Sequence, residues 1–185
     1  LDIPVLFALI PSAATVWHDR LPKGAPTADE VQWIEEIYGS TKVTTIDLNT
    51  TLQLHSTEDI YYRTDHHWTS LGAFYGANAI LEAAKLEPLQ LSDYECRTVS
   101  ENFLGTNYSS ACAWWTEPDS IEVYVKEDGK TVMSNFTGRE EAGRLYVPEQ
   151  LETKNKYAYF LGGNQPLCVI KNEMLSGVEA GKILL

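Results

Sequence analysis

The chain has 185 residues, with 14 Lys and Arg against 26 Asp and Glu, giving a formal net charge of −12. A surplus of that sign repels nucleic acid and anionic membrane surfaces, so neither is an expected partner. With 44% hydrophobic and 22% charged residues the chain is globular rather than disordered, and no apolar run reaches the roughly 18–20 residues of a membrane span.

Residues 3–10 are short and apolar and stop at Pro11. With no basic segment before them, they fit a buried strand better than the apolar core of a signal peptide. A Pro- and Gly-containing loop over 21–26 leads into a helix. There Thr27 and Glu30 have capping-box spacing, Val31, Ile34 and Tyr38 recur at helical spacing, and Gly39 closes the element. The β-branched run 42–47 predicts a strand, and residues 59–64 a second. From Ser70 onward Leu71, Phe74, Ala77, Leu81 and Ala84 share one helical face, and Pro88 ends it.

The character changes after residue 90. Residues 120–125 alternate with period two and 127–130 make a hairpin turn into 131–133, while 157–161 and 167–170 are two further strands around Gly162-Gly163-Asn164. The expectation is an α/β fold: an α/β part over 1–89, a β-rich insertion over 90–150, and a return to the core over 151–185. Gly181-Lys182-Ile183-Leu184-Leu185 has the pattern of another buried strand. Chain ends usually lie at the solvated surface, so a truncated piece of a longer domain is expected. Cys96, Cys112 and Cys168 have no metal-ligand spacing. Cys168 fits a small buried hydrophobe, and Cys96 with Cys112, both in loop-like sequence, leaves a disulfide open.

Two of the four histidines stand together in Arg63-Thr64-Asp65-His66-His67-Trp68-Thr69. In an extended segment Asp65 and His67 share a face and His66 points to the other. A carboxylate within reach of imidazole Nδ1–H fixes the tautomer and stabilises the imidazolium, leaving Nε2 to deprotonate a nucleophile. Asp65 and His67 therefore have the makings of the base and orienter of a Ser-His-Asp triad. Two other readings stay open. Asp65 could cap the following helix with both histidines at the surface. A metal site is the other, but it needs more ligands, and His18 and His55 are not in ligand-like spacing. Trp68 fits packing better than a substrate platform. Neither a metal nor a cofactor is expected.

The stretch Tyr61-Tyr62-Arg63-Thr64-Asp65-His66-His67-Trp68-Thr69-Ser70-Leu71-Gly72-Ala73 resembles the signature of the DHHW protein family of Gram-positive bacteria. It is also similar to the Thr-Asp-x-His-Trp segment of the alginate O-acetyltransferases, which have an SGNH-hydrolase-like fold. Phe103-Leu104-Gly105-Thr106, Asp119-Ser120-Ile121-Glu122 and Phe160-Leu161-Gly162-Gly163-Asn164 extend the likeness. The resemblance implies an SGNH-like parallel-sheet core, incomplete at the C-terminus, in an extracellular or cell-surface serine esterase or O-acetyltransferase. Its substrate would be a glycan or another acylated molecule. It casts Asp65 and His67 as catalytic and Arg63, His66 and Trp68 as supporting, and it places the serine after a strand like residues 181–185, outside this chain. None of the chain's own serines stands in a comparable strand-to-helix elbow. Gly163 and Asn164 are candidate oxyanion or substrate-binding donors, although Gly-Gly-Asn equally makes a tight hairpin turn. A non-catalytic glycan-binding or scaffold module of the same fold is the alternative, with Trp68, Tyr108, Trp114 and Trp115 as stacking surfaces.

Overall fold

The structure, a computed structural model, describes residues 4–126, 131–136 and 140–172. The chain divides into two compact units, residues 1–124 and 125–185.

The first unit opens on strand β1 (Leu6–Ala8), which pairs in parallel with β2 (Thr44–Ile46) in the register Leu6 to Thr44, Phe7 to Thr45 and Ala8 to Ile46. A parallel pair needs a crossover. Here it carries helix α1 (Ala13–Val16), a 3₁₀ turn (His18–Arg20) and helix α2 (Glu30–Ser40). Helices α3 (Leu48–Leu54) and α4 (Ser70–Ala83) follow. Strand β3 (Glu95–Phe103) then pairs with β4 (Asp119–Val125), with the short helix α5 (Thr106–Ala111) between them. Burial along β4 alternates, with Asp119, Ile121 and Val123 inside and Ser120 and Glu122 outside, as the period-two pattern requires. Val16, Leu52, Ile60 and Tyr61 form a core cluster against which Trp17, Trp68, Leu71 and Tyr75 pack. Trp68 is thus a packing residue.

Several expectations are corrected here. Strand β1 is only half-buried, and Val5 and Ile10 on either side of it are 56% and 51% exposed. Helix α2 is capped by Asp29, which accepts from Gln32 N–H at 3.0 Å, not by Thr27. The Glu30 carboxylate is engaged elsewhere, accepting from the backbone N–H and hydroxyl of Ser12 and from the Thr15 hydroxyl. That ties α2 to the start of α1. Gly39 lies inside α2, which runs on to Ser40. Residues 59–64 form no strand; the chain doubles back through an isolated Tyr61–Trp68 bridge, with Tyr62 N–H donating to the His67 carbonyl and Thr69 N–H to that of Ile60. Helices α3 and α5 are additions to the expected elements. Cys96 and Cys112 are free thiols, both exposed, and Cys168 is only partly buried.

The second unit contains a three-stranded antiparallel sheet in the order β6 (Glu140–Gly143), β5 (Thr131–Phe136), β7 (Cys168–Asn172). Where a β4–β5 hairpin is expected, the pairings among the described residues are β4 with β3, and β5 with β6 and β7. The hairpin's turn, residues 127–130, lies outside the described residues, as do residues 181–185. Over the segment 157–161, expected as a strand, the chain forms a 3₁₀ helix (Lys156–Tyr159), and Leu161 beyond it has φ of 60°. Only the Tyr146–Phe160 bridge remains of sheet pairing there.

Helix α4 approaches residues 59–68 closely enough to exclude a side chain at one point. A Cβ at Gly72 would lie 2.2 Å from the Ile60 carbonyl oxygen and 3.0 Å from Trp68 Cβ. Alanine's helix propensity favours Gly72→Ala by about 0.5–1 kcal/mol, but pushing a backbone carbonyl aside costs roughly 1–3 kcal/mol. The expected net effect is a lower urea midpoint for Gly72→Ala. Gly39→Ala, which meets nothing within 4 Å in α2, should raise the midpoint instead.

Candidate functional site

The loop 62–67 is held from two sides. On one, Asp119 at the inward-facing start of β4 accepts from Arg63 N–H at 3.1 Å, Arg63 Nε at 3.2 Å, Thr64 N–H at 2.8 Å and the Thr64 hydroxyl at 2.6 Å. On the other, Gly105 in the turn between β3 and α5 donates its N–H to Thr64 Oγ1 at 3.1 Å, and Tyr108 in the first turn of α5 donates its N–H to the Thr64 carbonyl at 3.0 Å. Arg63 is anchored further by Nη2 to the Pro118 carbonyl, while its side chain stays 59% exposed.

Within this frame Asp65 is 2% exposed. Its Oδ1 accepts from His67 N–H at 3.0 Å and His67 Nδ1 at 2.5 Å; its Oδ2 accepts from Thr106 N–H at 2.8 Å and the Thr106 hydroxyl at 3.1 Å. Burial by itself would raise the Asp65 pKa. The donors from Thr106 and His67 outweigh it and hold the carboxyl below the ordinary aspartate value. Asp65 is therefore an ionised, acceptor-only group at neutral pH. The contact with His67 comes from a two-residue side-chain-to-backbone turn rather than from an extended strand. That difference also reorients His66. Instead of pointing away, its ring lies 3.9 Å from that of His67, and its Nδ1 is 2.6 Å from Thr106 Oγ1.

Gly105 permits this approach. A Cβ there would stand 2.3 Å from both Cβ and Oδ2 of Asp65. Sequence reasoning gives Gly105, Thr106 and Asp119 no role, although all three lie in the 103–106 and 119–122 segments that carry the family likeness. The cue was a polar residue at the inward phase of an alternating strand, and a glycine before a threonine.

Asp65, His66 and His67 also offer donor atoms lying within 4.8 Å of one another, the geometry of a group that could hold a metal ion. Both Asp65 oxygens, however, already accept N–H or O–H donors. Gly163 and Asn164 lie in the second unit, in a turn where Gly162 and Gly163 have φ of 72° and 94° and Gly163 N–H donates to the Phe160 carbonyl at 3.2 Å. Among the chain's serines, the hydroxyl of Ser70 donates to the Glu122 carbonyl and that of Ser109 to the Gly105 carbonyl.

Over residues 2–110 the sequence matches the family described as the SGNH hydrolase-like domain of acetyltransferase AlgX. The chain belongs to that family. A search of curated proteins found no significant match. Among solved structures, the fold is similar to a DHHW family protein from Eubacterium siraeum, with 27% identity and a TM-score of 0.74 over 94% of this chain and 59% of that one. It is also similar to PatB1 from Bacillus cereus, at 19% identity and a TM-score of 0.68 over 92% of this chain and 63% of that one. The O-acetyltransferase domain of AlgJ from Pseudomonas putida follows at 19% identity and a TM-score of 0.51, over 66% of this chain and 48% of that one. The likeness at 19% identity shows a shared SGNH-hydrolase-like fold. The chain spans about half to three fifths of these proteins. Among the described residues no helix is long and apolar enough to cross a membrane.

The Asp65 hydrogen bonds make stability depend on acid. Its pKa is lower folded than unfolded, so its contribution is complete above the unfolded value of about 4 and fades as pH falls through the folded value. Asp65→Asn should lose about 1–3 kcal/mol at pH 7, because it cannot accept from all the buried donors. The loss should shrink as pH drops below about 4, measured as urea midpoints for both proteins from pH 7 to pH 2.5.

Proposed function

We propose that this chain carries the base and its orienter for an extracytoplasmic SGNH-like serine esterase or O-acetyltransferase acting on a cell-surface glycan. The observation that carries the reading is the 2.5 Å contact between His67 Nδ1 and an Asp65 carboxylate that is buried and ionised. Such a contact sets the ring with Nδ1 protonated and Nε2 as the proton-accepting nitrogen. Membership of the AlgX-type family supports acetyl transfer as the reaction.

In this reading His67 Nε2 takes the proton from a serine hydroxyl as its Oγ attacks the carbonyl carbon of an acyl ester. The resulting imidazolium is stabilised by Asp65, which remains ionised. Collapse of the tetrahedral intermediate breaks the ester C–O bond, and His67 returns the proton to the departing alkoxide, leaving an acyl-serine. In the second half His67 deprotonates water, giving hydrolysis, or a glycan hydroxyl, giving transfer. Each half returns the ring to its starting state. The serine is assigned to the protein outside residues 1–185, after segment 181–185 as the family likeness implies. The solved DHHW protein is longer than the part matched here, which leaves room for it. A secreted or surface location follows from the glycan substrate.

A second reading, a non-catalytic glycan-binding module, is favoured by one observation. Trp114 and Trp115 are 79% and 69% exposed and stand edge to face at 5.7 Å, an apolar surface suited to sugar faces. Turnover separates the two. With the full-length protein and an aryl acetate, His67→Ala and Asp65→Asn should each lower kcat by about 10²–10⁴-fold. Unchanged turnover in both variants would remove His67 and Asp65 from the reaction, and absence of turnover in the unsubstituted full-length protein would favour the binder.

A further inference from the structure

We propose that His66 is a positioning residue: its Nδ1–H holds the Thr106 hydroxyl as a donor to Asp65, and this contact fixes His66 itself as the Nδ1–H tautomer. One hydroxyl proton decides the polarity. Thr106 Oγ1 touches two groups, Asp65 Oδ2 at 3.1 Å and His66 Nδ1 at 2.6 Å, and has one proton to give. The Asp65 carboxylate is acceptor-only, so that contact is a bond only if the threonine proton lies on it. Oγ1 must then accept from His66, whose proton sits on Nδ1. The opposite polarity would set the hydroxyl lone pairs against a buried carboxylate oxygen and leave it one donor short.

The result is a chain of matched polarity, running from His66 Nδ1–H to Thr106 Oγ1–H to Asp65 Oδ2, while Asp65 Oδ1 accepts from His67. His66 therefore acts on the dyad chiefly through Thr106, its Nδ1 also standing 3.7 Å from Asp65 Oδ1, beyond hydrogen-bond distance. Its side chain is 60% exposed, so little of its presence is explained by core packing. Its ring also lies beside that of His67 at 3.9 Å, and fixing it from Thr106 keeps that neighbour in one orientation. Two adjacent histidines thus have separate tasks: His67 is paired directly with the carboxylate, and His66 secures the carboxylate's other oxygen.

The structural half of this inference is independent of turnover; the kinetic half rests on the acyl-transfer reading. The first experiment is ¹⁵N NMR of the full-length protein labelled at histidine, at a pH of about 8 where a free imidazole is neutral. His66 should show the Nδ1–H pattern and lose it in Thr106→Val; an Nε2–H pattern in the unsubstituted protein overturns the proposal. The second is kinetic. His66→Ala should lower kcat for an aryl acetate about tenfold at constant KM, and His66→Asn, whose amide nitrogen can take the place of Nδ1, should restore it to within about threefold. The double variant His66→Ala/Thr106→Val should be no slower than Thr106→Val alone, because both remove one linkage. Equal kcat in the Ala and Asn variants, or fully additive losses in the double variant, would refute the positioning role. Should turnover prove independent of His67, the acyl-transfer reading fails, and the tautomer measurement alone decides for His66.

Discussion

A buried carboxylate with all its acceptor capacity directed is the constraint on which the first unit's organisation turns. Asp65 sits at 2% exposure, where an unpaired negative charge would be heavily penalised. Its donors come from two places far apart in sequence, the adjacent His67 and Thr106 at the start of α5. Each end therefore constrains the other. The loop cannot open without stranding the carboxylate, and α5 cannot move without removing two of its donors. The absence of a side chain at Gly105 lets the turn come this close.

Asp119 repeats the device one residue pair earlier. It gathers the backbone and side chains of Arg63 and Thr64 as Asp65 gathers those of His67 and Thr106. In both cases a threonine hydroxyl stands between a nitrogen donor and the carboxylate: Gly105 N–H, Thr64 and Asp119 in one, His66, Thr106 and Asp65 in the other. Thr64, Asp65 and Asp119 are the buried polar residues of the described chain. That all of them belong to one connected network, rather than being scattered through the core, marks where polar burial serves a purpose other than stability.

How much of this was legible in the sequence depended on the range of the interaction. The Asp65–His67 pairing is local, and a two-residue spacing was enough to bring it out even though the supposed strand is a turn. Ser70–Ala83 was legible because one helical face is continuous, and β4 because its alternation is strict. Departures occur where a contact that the residue pattern does not show decides the local structure. Glu30 fits a capping box with Thr27 until Ser12 and Thr15 claim its carboxylate. Residues 157–161 have strand-like composition, yet the backbone closes into 3₁₀ turns, with Ala158 N–H on the Asn155 carbonyl and Phe160 N–H on that of Tyr157. Thr106 and Asp119 are ordinary polar residues in the sequence, and only the chain's return to residue 64 gives them partners.

This division has a consequence for how the proposed centre is assembled. A base needs its tautomer and orientation set before a nucleophile arrives, since reorganising charged groups during the reaction would add to the barrier. Here every hydrogen bond that sets Asp65 is made inside residues 65–106, within the first unit. The contacts that set the Asp65 carboxylate are thus in place within the first unit, and in the proposed reading a serine need only be placed against His67. The dyad combines a local contact, His67 on Asp65, with distant ones, Thr106 on Asp65 and Asp119 on Thr64, which supply rigidity. In the proposed reading, the orientation required at His67 draws on the fold around Asp65.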